Sequence, residues 1–328
     1  MSLFFIFLFI GCKSTPELTL FDSGVVPLDN GAQAYILVDV ARARPILESV
    51  SYIPMTDKNM KQMLDKTKTA VLAVYSPSAE ETRRFQLVSW GSYPASGSSI
   101  AFGANKDWKK QRSGFLNTVY WHSGKSQLSV ALTPSRAYVL AAMTKDPHDP
   151  IPSSEGVKFP DGFGEFASGA VLSCWLSDPR SVFNQKLREM GIPLEIPADH
   201  FFVRMLPADD APASQPASAS QPASAPQPAY SAHIKIVVPG ATQARAVANF
   251  ISIARAIMPP PKAPPQAPPE PVAKPSDSTD EGKAQYQAAM LSYMLFSNPV
   301  VQEGNSLLIK TPSLGVNEIA LLFSMFSL

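Results

Sequence analysis

The sequence predicts an α+β fold: a mostly antiparallel or mixed β-sheet with amphipathic helices packed on it, arranged as two related halves. Three observations carry that expectation. Short β-branched and aromatic runs alternate with turn residues through the first half. Strand-then-helix patterns follow in the second half. Three helical segments with unusually wide apolar faces close the chain.

Element by element, Tyr35–Val40 is the first clear strand, rich in β-branched residues. Further strands are expected at Ala70–Tyr75, Phe85–Trp90, Phe115–Trp121, Gln127–Leu132 and Ala137–Ala142. The last three are separated by His122-Ser123-Gly124-Lys125 and Thr133-Pro134-Ser135, turn compositions that predict an antiparallel meander. Between the first two strands a helix is expected over Asp57–Lys68. Thr56 is placed to cap it, and Met60, Met63, Leu64 and Thr67 share one face.

In the second half Ala170–Leu176 is a strand. Ser177 and Pro179 then open a helix buried through Val182, Phe183, Leu187 and Met190, and Gly191 and Pro193 end it. His200–Leu206 and His233–Val238 are strands flanking a proline block. Val38–Pro45 and Trp175–Arg180 echo one another: a strand breaks near an acidic residue and a helix starts with Arg and Pro. Two instances fit either an old duplication or coincidence.

The expected organisation is a signal peptide over 1–11, a tether over 12–30, a strand-rich half over 31–150 and an α/β half over 160–328. The second half carries proline-rich inserts at 207–228 and 259–280, where 15 of the 32 prolines fall. Neither insert holds enough large apolar residues to offset chain entropy, so both are expected to be disordered or extended. The formal net charge of +1 supplies no field to recruit nucleic acid, and none is expected as a partner.

Cys12 follows the apolar run Leu3–Ile10 and Gly11. That run is too short to span a bilayer, which takes about 20 apolar residues. It fits a signal h-region of about 7–15 residues, although no basic residue precedes Lys13. A small residue followed by cysteine, with polar Lys13-Ser14-Thr15-Pro16 directly after, reads as a lipoprotein cleavage site. Cys12 would then carry acyl chains such as palmitate, each buried methylene contributing about 0.8 kcal/mol. Cys174, the only other cysteine, sits in an apolar run and reads as a small core residue.

The C-terminal third holds the candidate contact residues. In Thr242–Met258 the polar residues Arg245, Asn249, Ser252 and Arg255 share one narrow stripe. Val247, Phe250, Ile251, Ile257 and Met258, with intervening alanines, cover the rest. Ala284–Phe296 presents Met290, Tyr293, Met294 and Phe296, and Val316–Leu328 presents Ile319, Leu322, Phe323 and Phe326. A surface helix normally hides about 100° of its circumference. These segments are either central helices sandwiched in the core, or helices that contact membrane lipid or a lipid-like ligand.

The layout resembles the concealed outer-membrane lipoproteins of treponemes, a spirochaetal family. The matching features are Leu8 to Cys12 and the three apolar-faced segments. The resemblance implies a mixed α/β core with several amphipathic helices, an acylated N-terminal cysteine and membrane-inserting behaviour. It carries over no active-site residue, and the Ala/Pro/Ser block departs from it.

No catalytic residue, cofactor or metal is expected. His122, His148, His200 and His233 lack metal-ligand spacing, and no nucleotide loop or Gly-x-Ser-x-Gly elbow is present. Lys106–Arg112 is a basic stretch around Trp108, either a headgroup contact or a solvated segment. The functional expectation is a non-enzymatic lipoprotein of the cell envelope, anchored through Cys12 at the periplasmic face of the outer membrane, with membrane lipid as partner. The alternative is a structural or assembly lipoprotein that docks another envelope protein through the same helices.

Overall fold

The computed structural model describes residues 25–49, 64–75, 85–92, 106–112, 119–133, 138–142, 156–180, 195–208, 228–257 and 297–316, less Pro27 and Ser126, together with Lys61, Asn184, Arg188, Ala289, Tyr293, Glu318 and Ile319. The strands are β1 (Val25–Val26), β2 (Ala34–Asp39), β3 (Thr67–Val74), β4 (Phe85–Gly91), β5 (Trp108–Arg112), β6 (Val119–Ser123), β7 (Leu128–Thr133), β8 (Tyr138–Ala142), β9 (Val157–Lys158), β10 (Leu172–Leu176), β11 (His200–Pro207), β12 (Ala229–Val237), β13 (Val300–Glu303) and β14 (Ser306–Gly315). The helices are α1 (Val40–Ser49), α2 (Phe163–Ala167) and α3 (Ala241–Ile257).

Twelve strands form one sheet in the order β13-β14-β12-β11-β10-β2-β3-β4-β8-β7-β6-β5, and β1 pairs with β9 in a second small sheet. Every pairing is antiparallel. The α+β expectation is borne out. The two halves meet at the centre, where β2 pairs with β10 in the register Leu172↔Val38 to Leu176↔Ala34. β2 runs directly into α1, and after β10 helical residues begin at Pro179, past Ser177 and Asp178, the echo noted in the sequence. Asp39 Oδ1 accepts a hydrogen bond from Arg42 N (3.1 Å) and so caps α1.

Alternation along the strands feeds two cores, one on each face of the sheet. Ile36, Leu172, Phe201, Ile234 and Ile309 pack on one face with Ile46 of α1 and Val247 and Ile251 of α3. Tyr35, Leu37, Val71, Val88 and Phe202 pack on the other with Phe163 and Phe166 of α2 and with Val26 and Val157 of the small sheet. Burial on both faces explains why β2 reads as a continuous apolar run rather than an alternation.

Several boundaries differ from the sequence reading. The helix expected over Asp57–Lys68 is helical only to Lys66 among its described residues; Thr67 and Lys68 belong to β3, with Thr67 buried. Residues 50–60 lie outside the described residues. Gly91 of β4 sits against this corner, where a Cβ would collide with the Lys66 carbonyl, and Ser92 N donates to that same oxygen (2.8 Å). The basic stretch Lys106–Arg112 is a turn at Lys106-Asp107 leading into strand β5 at the sheet's edge, with Lys109, Lys110 and Arg112 exposed. Lysines are a common means of blocking unwanted pairing on an open strand edge. The strand expected over Phe115–Trp121 is observed at Val119–Ser123, residues 113–118 lying outside the description. Strands β13 and β14 were not anticipated.

Strands β11 and β12 form a hairpin closed by Ala208 N donating to Ala229 O (2.9 Å). The Ala/Pro/Ser block therefore connects two paired strands, an insertion whose closure cost grows only slowly with length. Pro207, the first residue of that insert, belongs to β11, and Ala208 and Pro228 are described beside the strands; residues 209–227 and 259–280 lie outside the described residues.

Candidate functional site

Helix α3 follows β12 after a bend at Pro239-Gly240, and Ala244 N donates to Gly240 O (3.0 Å). Its inner stripe is Ala244, Val247 and Ile251, all buried against β13, β14 and the neighbouring core. Two polar contacts fix its ends. Gln302 Nε2 donates to Ala241 O (3.2 Å), and Arg255 Nη2 donates to Ser297 O (3.2 Å). The polar stripe read from the sequence is exposed at Arg245, Asn249 and Ser252, while Arg255 is half-buried.

The outer face of α3 is also apolar. Ala246, Phe250 and Ile253 recur at spacings of four and three, so they share a stripe roughly opposite the core. Phe250 is 37% exposed and Ile253 58% exposed. Single exposed apolar residues are ordinary, but here two large ones sit one turn apart on a helix whose other side already fills the core. Ile253 was not among the candidate residues, although it lies one turn after Asn249 and three residues after Phe250.

The remaining candidates divide clearly. Val247, Ile251, Tyr293 and Ile319 are in the core of this conformation, while Phe250 faces solvent. Burial raises the Tyr293 phenol above its usual range, with nearby Glu318 adding to the effect. For Ile257 the backbone alone is described, within α3. Cys12, Met258, Met290, Met294, Phe296, Leu322, Phe323 and Phe326 lie outside the described residues. Cys174 packs against the first core, and burial pushes its thiol up to about 12.

Among the described residues no helix is long and apolar enough to cross a membrane, a statement that leaves β-barrels aside. No group of three or more His, Cys, Asp or Glu among them is placed to hold a metal ion.

Residues 24–147 match the TP0453 family. Its description is "outer membrane-associated lipoprotein TP0453", which names a membrane-associated lipoprotein and not an enzyme class. The resemblance drawn from layout is thus borne out, and on the first half of the chain rather than on the apolar helices that suggested it. Crystal form III of TP0453 matches with a TM-score of 0.55 at 14% identity, covering 92% of this chain and 98% of TP0453. Crystal forms IV and I match with TM-scores of 0.53 at 12% and 14% identity, each covering 92% of this chain and 97% of TP0453. At such identities the likeness to TP0453 is one of fold, and it extends through the second half. No curated protein matches the chain.

Proposed function

We propose that this protein is a lipoprotein of the cell envelope, anchored through acyl chains on Cys12 at the periplasmic face of the outer membrane. Helix α3 then lies against lipid with its outer stripe. The observation that carries this reading is the exposure of Phe250 and Ile253 on a helix whose opposite side, Val247 and Ile251, is already satisfied by the core. Contact through that stripe needs no unfolding. The match of residues 24–147 to an outer membrane-associated lipoprotein family supports the compartment.

The physical logic is additive. The acyl chains supply most of the attachment and hold the body at high effective concentration near the bilayer. Under that condition a weak interfacial helix suffices. The stripe is small and nearly uncharged, so its contribution is apolar burial rather than attraction to anionic headgroups. Deeper engagement by Tyr293 or Ile319 requires those residues to leave the core.

The test is flotation of residues 13–328, without acylation, on vesicles of mixed zwitterionic and anionic phospholipid. The reading expects measurable co-flotation that falls when Phe250 and Ile253 are changed together to Gln. Protein that stays soluble at every lipid composition contradicts the role of α3. Stoichiometric co-purification with one envelope protein, without vesicle binding, would favour the docking alternative.

A further inference from the structure

The opposite face of the sheet carries a second feature that the α3 reading does not use. On that face Arg204 of β11, His233 of β12 and Lys310 of β14 stand side by side in one cross-strand row, paired as Arg204↔His233 and His233↔Lys310. Arg204 Nη1 donates to Phe166 O (2.8 Å), and its Nε and Nη2 lie 3.3 and 3.1 Å from His233 Nδ1. The guanidinium also sits 4.8 Å above the Phe166 ring.

The chemistry of this row is one-sided. Arginine has only donors, so His233 Nδ1 must accept, and the ring proton resides on Nε2. Among the described residues, two guanidinium N–H groups, the His233 Nε2–H and the Lys310 ammonium have no acceptor, and all are donors. Lys235 stands two residues along β12 on the same face. Among the described residues, none of Arg204, Lys235 or Lys310 pairs with a carboxylate. Burial, then Arg204, then Lys310 depress the His233 imidazole to about 4, so the row already repels a further positive charge. A carboxylate or phosphate oxygen is the group that would relieve this arrangement.

Apolar surface begins one step along the strands. Leu308 is two residues from Lys310, a rise of about 6.6–6.8 Å, and it pairs with Val301 of β13. Val301 is 49% exposed. Val237, two residues beyond Lys235, and Leu308 are both half-buried on this face. Among the described residues, helix α2 packs chiefly on β10 and β11, to one side of this row.

We propose that this face of β11, β12, β14 and β13 binds an anionic amphiphile, its phosphate or carboxylate headgroup held by Arg204, His233 and Lys310 and the start of its tail lying over Leu308, Val237 and Val301. The site lies across the sheet from α3, so its failure and that of the α3 reading are separable.

The test titrates the full chain with dihexanoyl phosphatidylglycerol below its micelle concentration. Dihexanoyl phosphatidylcholine and inorganic phosphate serve as comparison probes, and binding is read from the histidine imidazole NMR signals. The anionic lipid should shift the His233 signal, identified by its loss in His233→Gln, and raise its titration midpoint. Lys310→Gln with Lys235→Gln, both on the strand surface, should weaken binding by about fivefold or more. Val301→Gln should weaken the lipid but not inorganic phosphate. Equal binding of the zwitterionic lipid, an unmoved His233, or insensitivity to the lysine pair overturns the proposal. Inorganic phosphate binding as tightly as the lipid overturns its apolar half and marks the row as a simple anion site.

Discussion

Trp175 stacks on Tyr35 across the seam between the two halves, their ring centroids 5.0 Å apart and their planes 18° from parallel. The pair is the hub of a wider aromatic cluster, with Phe159 edge-on to both rings at 6.2 and 5.9 Å. It marks the point where the first half and the second half become one sheet. Truncating either ring to Ala should cost about 3–5 kcal/mol. A double-mutant cycle should return a coupling of about 0.5–1.5 kcal/mol beyond burial. Chemical denaturation of the four proteins measures both quantities. A coupling near zero would show that the halves are held together elsewhere.

Gln86 is fully buried and knots β4 to the loop before β2. It accepts from Asp29 N (2.8 Å) and Tyr75 Oη (2.8 Å), and it donates to Asp29 Oδ2 (3.1 Å). Gln86→Leu preserves volume but removes all three bonds, and should destabilise the protein by on the order of 2 kcal/mol. Tyr75→Phe should cost less, since Asp29 N and Gln86 keep each other. Urea midpoints rank the two variants.

His233 sets a pH dependence whose sign follows from its surroundings. The charged and titratable groups acting on it are Arg204 and Lys310, and with burial they lower its midpoint from 6.5 to about 4. Between those values the unfolded chain binds the proton more readily than the folded one. Stability contributed by a neutral His233 is therefore intact above pH 6.5 and is lost as pH falls towards about 4. His233→Gln should flatten the stability profile in that window. Thermal melts of both proteins from neutral to acid pH check it, and parallel profiles would refute the assignment.

Cys174 should be chemically quiet. Burial holds its thiol near 12, so at pH 8 almost no thiolate is available to react. In residues 13–328 it is the only thiol. A disulfide reagent should label it slowly in the folded protein and at once in denaturant. Fast labelling of native protein would mean that β10 opens readily.

β2, β3, β4 and β10 were legible because doubly buried strands need unbroken apolar runs. β5 was not, because Trp108-Lys109-Lys110-Gln111-Arg112 has one paired neighbour and little core to fill. β14 is not legible in the sequence because Pro312 falls within it, a residue usually kept out of central strands. The α3 boundaries were correct to a residue or so, since its apolar pattern is long. What local pattern could not give was direction: Ile251 turns into the core while Ile253, two residues on, faces solvent. The Arg204–His233–Lys310 row was invisible for the same reason, because register across three strands sets it rather than any spacing within one.

That divergence also separates packing from function within α3. Ile251→Ala should cost about 2–5 kcal/mol. Phe250→Gln and Ile253→Gln should each stay within about 0.5 kcal/mol of the parent. If the outer pair proved as costly as Ile251, the stripe would belong to the core and the membrane reading would lose its support.

The most direct measurement places an environment-sensitive bimane at position 253, in a Cys174→Ser background of residues 13–328, and adds vesicles containing lipids with quenchers along their acyl chains. A label at 251 serves as the inward control. The account predicts lipid-dependent quenching at 253 and little change at 251, with the fold intact. Quenching at neither position, or equal quenching at both, would contradict contact through the outer stripe of α3.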